Sequence, residues 1–156
     1  MIEQVLNRRN VMRAYSQVVS NKGSAGVDGM QVKELYKYLT NNRERIESEL
    51  RQGKYLPQAI LGVEIPKSNG KTRLLGIPTV VDRLLQQAVG QVIAIKFEME
   101  FEDYSYGFRP NRNAQQAVLK AKEYINSGYQ HIVDIDLKAS SMKSTTVFCC
   151  NCCIVR

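Results

Sequence analysis

The chain has 156 residues, which is typical of one domain and enough to bury a hydrophobic core. Its 22 Lys and Arg residues against 15 Asp and Glu give a net charge of +7, which favours a polyanionic partner, although a basic balance also serves solubility. No apolar run approaches the ~20 residues of a membrane span, and Met1-Ile2-Glu3 does not open a signal peptide. The sequence therefore predicts a cytoplasmic protein with no membrane partner.

The N-terminal segment has the periodicity of an amphipathic helix. Apolar residues recur at near-helical spacing at Ile2, Val5, Met12, Tyr15 and Val19. Residues 20–29 then contain three glycines and predict an ordered loop, which we call the glycine loop. Such a loop either lets a partner approach the backbone closely or simply links two helices.

A second amphipathic helix is predicted from Gln31 to a stop before Gly53. Its apolar set is Val32, Leu35, Leu39, Ile46 and Leu50. Its outer face mixes the two signs of charge, with Lys33, Lys37, Arg43 and Arg45 among Glu34, Glu44, Glu47 and Glu49. Because such a face usually pairs with itself in water, we assign it no binding role.

Residues 63–78 predict a β-hairpin, which we call the basic hairpin. Short apolar runs flank Ser68-Asn69-Gly70, and Asn-Gly is a strong signal for a tight turn because both residues tolerate a positive φ. Lys67, Lys71 and Arg73 lie within seven residues, and Glu64 is the only acidic residue near them. The hairpin would present several phosphate-binding groups together, which suits a polyphosphate or a nucleic-acid backbone.

A third helix, the expected centre of the core, follows Pro78. Thr79 and Asp82 form a start of the capping-box type. The apolar set of this helix is Val81, Leu84, Leu85, Ala88, Val92 and Ile95, while Arg83, Gln86 and Gln87 could face solvent or nucleic acid. The acidic residues that follow, from Glu98 to Asp103, predict a solvated helix end, because alternating acidic positions on a helix do not converge on a metal.

Residues 105–110, Ser-Tyr-Gly-Phe-Arg-Pro, have no helical period and predict a loop. Its Tyr106, Phe108 and Arg109 could stack on a base and hold a phosphate, or could anchor the loop to the core. A fourth helix follows, with Asn113 and Gln116 as cap partners and an end at Gly128. Its predicted buried stripe is Ala114, Ala117, Val118, Ala121 and Ile125.

Residues 129–137 alternate in the manner of a β-strand. Asp134 and Asp136 share one face with Ile132, and two carboxylates there are costly to bury unless a cation compensates. The chain ends in a cluster of cysteines, Cys149, Cys150, Cys152 and Cys153. This cluster is too compact for the usual separated pairs of zinc ligands and has no thiols elsewhere to pair with, so it indicates an unstructured or foreign tail.

Three of these stretches together resemble a known family. They are similar, in order and spacing, to the fingers and early palm of bacterial group II intron reverse transcriptases, also called maturases. The three stretches are Glu64 to Gln87, Ser105 to Pro110, and Val133 to Leu137. The resemblance covers residues 1–139 and implies an α+β fold: a helical fingers subdomain with an antiparallel hairpin, then the first strand of a truncated palm. Residues 140–156 would form an atypical Cys-rich tail.

The resemblance also implies a function and residue roles. It implies an RNA-directed DNA polymerase that uses Mg²⁺ and binds RNA template, DNA primer and dNTP for intron mobility and splicing. Asp136 occupies the position of the catalytic, metal-binding Asp of the first palm motif. Lys67 and Arg73 occupy the positions of residues that contact the triphosphate of the dNTP. The nucleic-acid-binding positions are Lys22, Gly23, Lys71 and Arg109.

The sequence departs from the family pattern after Ala139. Ser140 and Ser141 stand where an aromatic pair is expected, and no Tyr-x-Asp-Asp occurs among the 156 residues. One carboxylate cannot hold the two metal ions of a polymerase. We therefore expect the isolated chain to be inactive in DNA synthesis, and the alternative function is that of a catalytically inactive RNA-binding module.

Overall fold

The computed structural model describes residues 1–68 and 70–135, in two compact units. We call Met1–Ile93 the N-terminal unit and Ala94–Arg156 the C-terminal unit. The elements are α1 Ile2–Val5, α2 Arg8–Ser20, a 3₁₀ helix Val32–Glu34, α3 Leu35–Arg51, β1 Leu61–Pro66, β2 Thr72–Ile77, α4 Val80–Phe97 and α5 Ala114–Asn126. Helices with a two-stranded antiparallel sheet form the predicted α+β class. None of the described helices is long and apolar enough to cross a membrane.

The N-terminal helix is split in two, so the prediction of one continuous helix was wrong. Asn7 adopts a non-helical ψ of 133° and accepts a hydrogen bond from the Arg9 N–H at 2.9 Å, so that it caps the start of α2. An Asn side chain competes with the backbone in this way and favours the N-cap position. The break shifts the helical phase: Ala14 and Val18 are buried, whereas Met12 is 53% exposed.

The core of the N-terminal unit draws on four helices. Its buried side chains are Val5, Ala14, Val18, Leu35, Ile46, Val80, Val81, Leu84 and Ala88. The first half of α4 supplies the largest share, which confirms the predicted core helix. Ile95, predicted to belong to the same stripe, is 71% exposed because the packed cluster extends along α4 only as far as Val92.

The second predicted helix forms as the 3₁₀ helix and α3, and α3 ends at Arg51, before Gly53. On its outer face the Arg43 side chain contacts Glu47 at 2.6 Å, and Arg45 contacts Glu49 at 3.2 Å. These are exposed pairs one helical turn apart, of the kind that contributes about 0.3–0.5 kcal/mol each. Arg43 and Arg45 are thus paired with glutamates of the same face, as the sequence predicts for that part of it.

The basic hairpin forms as predicted, with β1 and β2 paired antiparallel from Leu61↔Ile77 to Pro66↔Thr72. The Lys67 N–H donates to the Lys71 carbonyl at 2.7 Å, and the Gly70 N–H donates to the Lys67 carbonyl at 3.1 Å. Gly70 has a φ of +76°, which a glycine adopts without steric cost. Asn69, the other residue of the predicted turn, lies outside the described residues.

Helix α5 begins and ends where the sequence indicates. The Asn113 side chain accepts from the Gln116 N–H at 2.9 Å, and the Gln116 side chain accepts from the Asn113 N–H at 3.0 Å, which completes the capping box. Gly128 follows the helix with a φ of +95°. No residue of α5 is buried, however, so its predicted buried stripe, which includes Val118 and Ile125, is wrong for the described chain. An apolar stripe needs a packing partner, and within the described residues only Ala117 of this stripe is partly covered.

The strand predicted at residues 129–137 is not observed over its described part. Residues 129–135 have no strand assignment, and each of them is exposed. A strand needs a neighbour to complete its hydrogen-bond ladder, and no segment in the described ranges pairs with this one. Asp136 and the predicted tail 140–156 lie outside the described residues.

Candidate nucleic-acid interface

The cations of the basic hairpin share one face. Side chains alternate between the faces of a strand, and the register pairs Ile65 with Arg73. Lys67 and Lys71 lie opposite each other one pair beyond Pro66 and Thr72, and a hydrogen bond joins their backbones. They are two positions from Ile65 and Arg73 along their strands, so they lie on the same face as Arg73. Glu64 pairs with Leu74 on the opposite face. The nearest carboxylate along the chain is therefore on the other side of the sheet from the three cations.

The hairpin surface is open to solvent. All six residues of β1 are exposed, as are Lys67, Lys71 and Arg73 at the tip. Val63 and Ile65 add exposed apolar surface to the cationic face. This face can therefore contact phosphates through its tip and a flat apolar group through its strands.

The glycine loop is held against the start of α4 by close backbone contact. A Cβ on Gly26 would lie 2.7 Å from the Thr79 Cα and 2.8 Å from the Thr79 nitrogen, so only glycine fits there. The Arg83 guanidinium lies against Gly23 and donates to the Ser24 carbonyl at 2.6 Å. The sequence left open whether Arg83 faces solvent or nucleic acid. In the structure its side chain anchors the glycine loop.

Lys22 lies at the entrance of this loop in an uncommon conformation. It follows α2 with a φ of +46°, in the left-handed region that a side chain with a Cβ rarely adopts. Lys22 and Gly23 line a groove of about 550 Å³, together with Lys33. The structure therefore places Lys33 beside Lys22 and Gly23, which are adjacent in the sequence, at one groove with two lysines.

A buried carboxylate joins the base of the hairpin to α4. Asp82 is 3% exposed and accepts from the Tyr55 hydroxyl at 2.7 Å, the Gln58 N–H at 3.1 Å and the Thr79 hydroxyl at 2.6 Å. Burial, and then the hydrogen bond to Asp82, raise the pKa of Tyr55 above its usual value. The spacing of Thr79 and Asp82 indicated a helix cap, but no signal in the sequence pointed to Tyr55 as a partner.

In the C-terminal unit, Arg109 is engaged within its own loop. Its side chain is 6% exposed and contacts Glu98 at 2.8 Å. It also donates to the carbonyls of Glu102 at 2.7 Å and Ser105 at 3.1 Å, and its guanidinium carbon lies 4.9 Å from the centre of the Phe101 ring. With these partners Arg109 has little capacity left for a phosphate. The neighbouring Phe108, in contrast, is exposed.

The described residues do not by themselves form a magnesium site. Among residues 1–68 and 70–135, no group of three or more His, Cys, Asp or Glu side chains is placed to hold a metal ion. Asp134 is exposed, and Asp136 lies outside these ranges. Reverse transcriptases in general use divalent metal ions.

Comparison with known proteins identifies the family to which the chain is similar. The reverse transcriptase (RNA-dependent DNA polymerase) family profile matches residues 65–140. Protein YkfC of Escherichia coli is 40% identical over 67% of this chain and 28% of its own length. The group II intron-encoded protein LtrA of Lactococcus lactis is 36% identical over 80% of this chain and 21% of its own length. The putative COX1/OXI3 intron 1 protein of Saccharomyces cerevisiae is 26% identical over 82% of this chain and 15% of its own length.

The chain spans between 15% and 28% of the length of these relatives. The family profile begins inside β1 and includes the cationic tip of the hairpin, α4 and α5. The matches outside the profile extend the likeness to most of the chain. The chain therefore belongs to the group II intron-encoded reverse transcriptase family.

Proposed function

We propose that this chain is the N-terminal part of the RNA-directed DNA polymerase of a group II intron, and that it binds RNA template and dNTP for intron mobility and splicing. The observation that supports this proposal best is the gathering of Lys67, Lys71 and Arg73 on one exposed face of the basic hairpin. Phosphate groups are bound by Lys and Arg side chains in this kind of arrangement.

In this proposal the helices and the basic hairpin form the fingers of a domain that comprises residues 1–139, and the palm begins near residue 129. Lys67 and Arg73 contact the triphosphate of the dNTP, and Lys71 contacts the nucleic-acid backbone. Lys22 and Gly23 contact RNA at the groove of the glycine loop. Asp136 is the catalytic carboxylate and a ligand of Mg²⁺, while Arg109 serves nucleic-acid binding by holding its loop in place.

The hairpin can be tested by measuring RNA binding as a function of salt. Each phosphate contact with a single strand contributes about −0.7 to the slope of log K against log salt. Without dNTP, RNA phosphates can occupy all three cations, so Lys67→Ala, Lys71→Ala and Arg73→Ala together should flatten the slope by about 2 units. Fluorescence anisotropy with a labelled RNA gives this slope directly. An unchanged slope in the triple variant would move the binding site away from the hairpin.

A matched control comes from the outer face of α3. Replacing Arg43, Arg45 and Arg51 by Ala removes the same amount of positive charge, but these residues are paired with glutamates. This control should leave the salt slope nearly unchanged, because paired surface arginines release few counterions on binding. Equal effects of the two triple variants would mean that net charge, and not the hairpin, determines RNA affinity.

A second candidate is that the 156-residue polypeptide binds RNA without synthesising DNA. It is favoured by the sequence, which contains no Tyr-x-Asp-Asp to supply further carboxylates beside Asp136. Two-metal phosphoryl transfer needs ligands that hold both ions. A primer-extension assay with magnesium and all four deoxynucleotides should give no product while RNA binding persists. Extension that Asp136→Ala abolishes would instead favour the polymerase for this polypeptide as it stands.

A further inference from the structure

Phe108 is held in an exposed position that it would not adopt for packing. Its side chain is 91% exposed, and its φ is +56°, in the left-handed region. A bulky residue is uncommon there because its Cβ crowds the backbone. Such a conformation persists only where the surrounding structure imposes it.

The surrounding loop supplies that constraint. Arg109, the next residue, is fixed by its contacts with Glu98, Glu102 and Ser105. Three residues later the backbone is held again, where the Arg112 N–H donates to the Arg109 carbonyl at 3.3 Å. The aromatic ring is thus carried outward immediately before a segment of the loop that is fixed. Hydrophobic anchoring would place the ring inward, so the geometry favours a ligand over a packing role.

The composition of the loop that carries Phe108 indicates what that ligand is. The Arg112 guanidinium carbon lies 5.7 Å from the centre of the Tyr106 ring and brings positive charge to the same loop. A loop that carries both an exposed aromatic ring and a cation has the two groups that bind single-stranded nucleic acid, with the base on the ring and the backbone phosphates attracted by the positive charge.

We propose that Phe108 is a stacking platform for an unpaired base of single-stranded RNA, and that Arg109 is the positioning residue that holds the platform outward. The inference rests on the proposed RNA-binding function and adds to it a contact site in the C-terminal unit. Stacking on an aromatic side chain accepts any base, so the platform contributes affinity without sequence preference.

The test compares the binding of a labelled oligoadenylate RNA by variants of the full chain, measured by fluorescence anisotropy. Phe108→Ala should weaken binding roughly 5- to 150-fold, the range that loss of one stacked base gives. Phe108→Tyr should keep the affinity, and Phe108→Leu should lose it, because Leu is apolar but has no π-face. The salt slope should stay unchanged in all three variants, since no charge is removed.

Two controls separate stacking from other causes. Met99 is 92% exposed in the same unit, and Met99→Ala should leave RNA affinity unchanged. Phe108→Ala and the wild type should bind with equal affinity to an oligomer that carries abasic sites, and also to a duplex whose bases are already stacked. Because Phe108 is exposed, its variants should keep the helical circular dichroism of the wild type.

Three results would overturn the inference, and they can be told apart. If the wild type binds oligoadenylate and Phe108→Ala or Phe108→Leu binds equally well, the stacking platform is wrong while the proposed function stands. A full effect of Phe108→Ala with the abasic oligomer would also refute stacking. If the wild type does not bind RNA at all, the proposed function fails and the platform fails with it.

Discussion

Replacing Asp82 by Ala should destabilise the N-terminal unit by about 3–5 kcal/mol, because several hydrogen-bond donors would lose their shared acceptor in a largely buried site. The Asp82 side chain is 3% exposed and accepts hydrogen bonds from Tyr55, Gln58 and Thr79. A hydrogen bond to a charged group contributes about 1.5–3 kcal/mol, and the three are not additive because they share one carboxylate. The Ala variant leaves all three donors without their acceptor.

Tyr55→Phe isolates one of these bonds. It removes the donor at 2.7 Å but keeps the ring, so the expected loss is about 1–2 kcal/mol. In a double-mutant cycle, Tyr55→Phe and Asp82→Ala should couple by a similar amount, because the Tyr55 hydroxyl has no carboxylate to bind once Asp82 is gone. Tyr36→Phe is the matched control, since Tyr36 is exposed, and it should stay within about 0.5 kcal/mol.

Urea denaturation followed by far-ultraviolet circular dichroism measures these free energies, and the chain contains no Trp for a fluorescence assay. If Asp82→Ala costs less than about 1 kcal/mol, the network does not stabilise the unit and the reasoning from burial is wrong. If the cycle shows no coupling, the Tyr55–Asp82 contact is not the source of the effect.

Three further outcomes follow from other parts of the chain. Because the pKa of Tyr55 is raised in the folded state, its stabilising contribution is complete below the ordinary value of 10.0 and is lost as pH rises beyond it. Thermal unfolding should therefore show a smaller alkaline loss in Tyr55→Phe, and equal losses would contradict this. Gly26→Ala should lower the free energy of unfolding by more than about 2 kcal/mol, because its Cβ would meet the Thr79 backbone. Gly29→Ala should lower it by about 1 kcal/mol, because there is open space around Gly29 and only its φ of +69° is unfavourable for alanine. Chemical denaturation that ranks the two variants equally would refute the packing argument. Amide hydrogen exchange should be fast over residues 129–135, where every residue is exposed, and slow in the first half of α4, and strong protection of 129–135 would contradict the structure.

Some parts of the candidate site follow from local sequence. The register that gathers Lys67, Lys71 and Arg73 depends on a hairpin whose turn lies between two short apolar runs, and hairpin geometry is set by the turn residues themselves. The Asn113–Gln116 capping box and the end of α5 at Gly128 are equally local. These features involve residues a few positions apart, so their pattern in the sequence is sufficient to predict them.

The roles of Arg109 and Phe108 could not be assigned in the same way. As a sequence, Tyr106-Gly107-Phe108-Arg109 offers two aromatic residues and a cation, any of which could contact a nucleic acid. The structure divides the roles, because Glu98, eleven residues before Arg109, binds its guanidinium. That contact makes the cation a structural clamp and leaves Phe108 as the exposed group.

The sequence by itself determined the helices after the glycine loop, the capping box of α5, the basic hairpin and the membership of the family, because each depends on periodicity, turn chemistry or motifs read along the chain. Only the tertiary structure decided which polar groups are buried. Asp82 meets Tyr55 across 27 residues of chain, and Arg83 meets Ser24 across 59. It also decided that the stripe of α5 and residues 129–135 stay exposed within the described chain. An apolar pattern in the sequence indicates only that a segment needs a packing partner. Whether the segment is buried depends on whether another part of the structure supplies that partner.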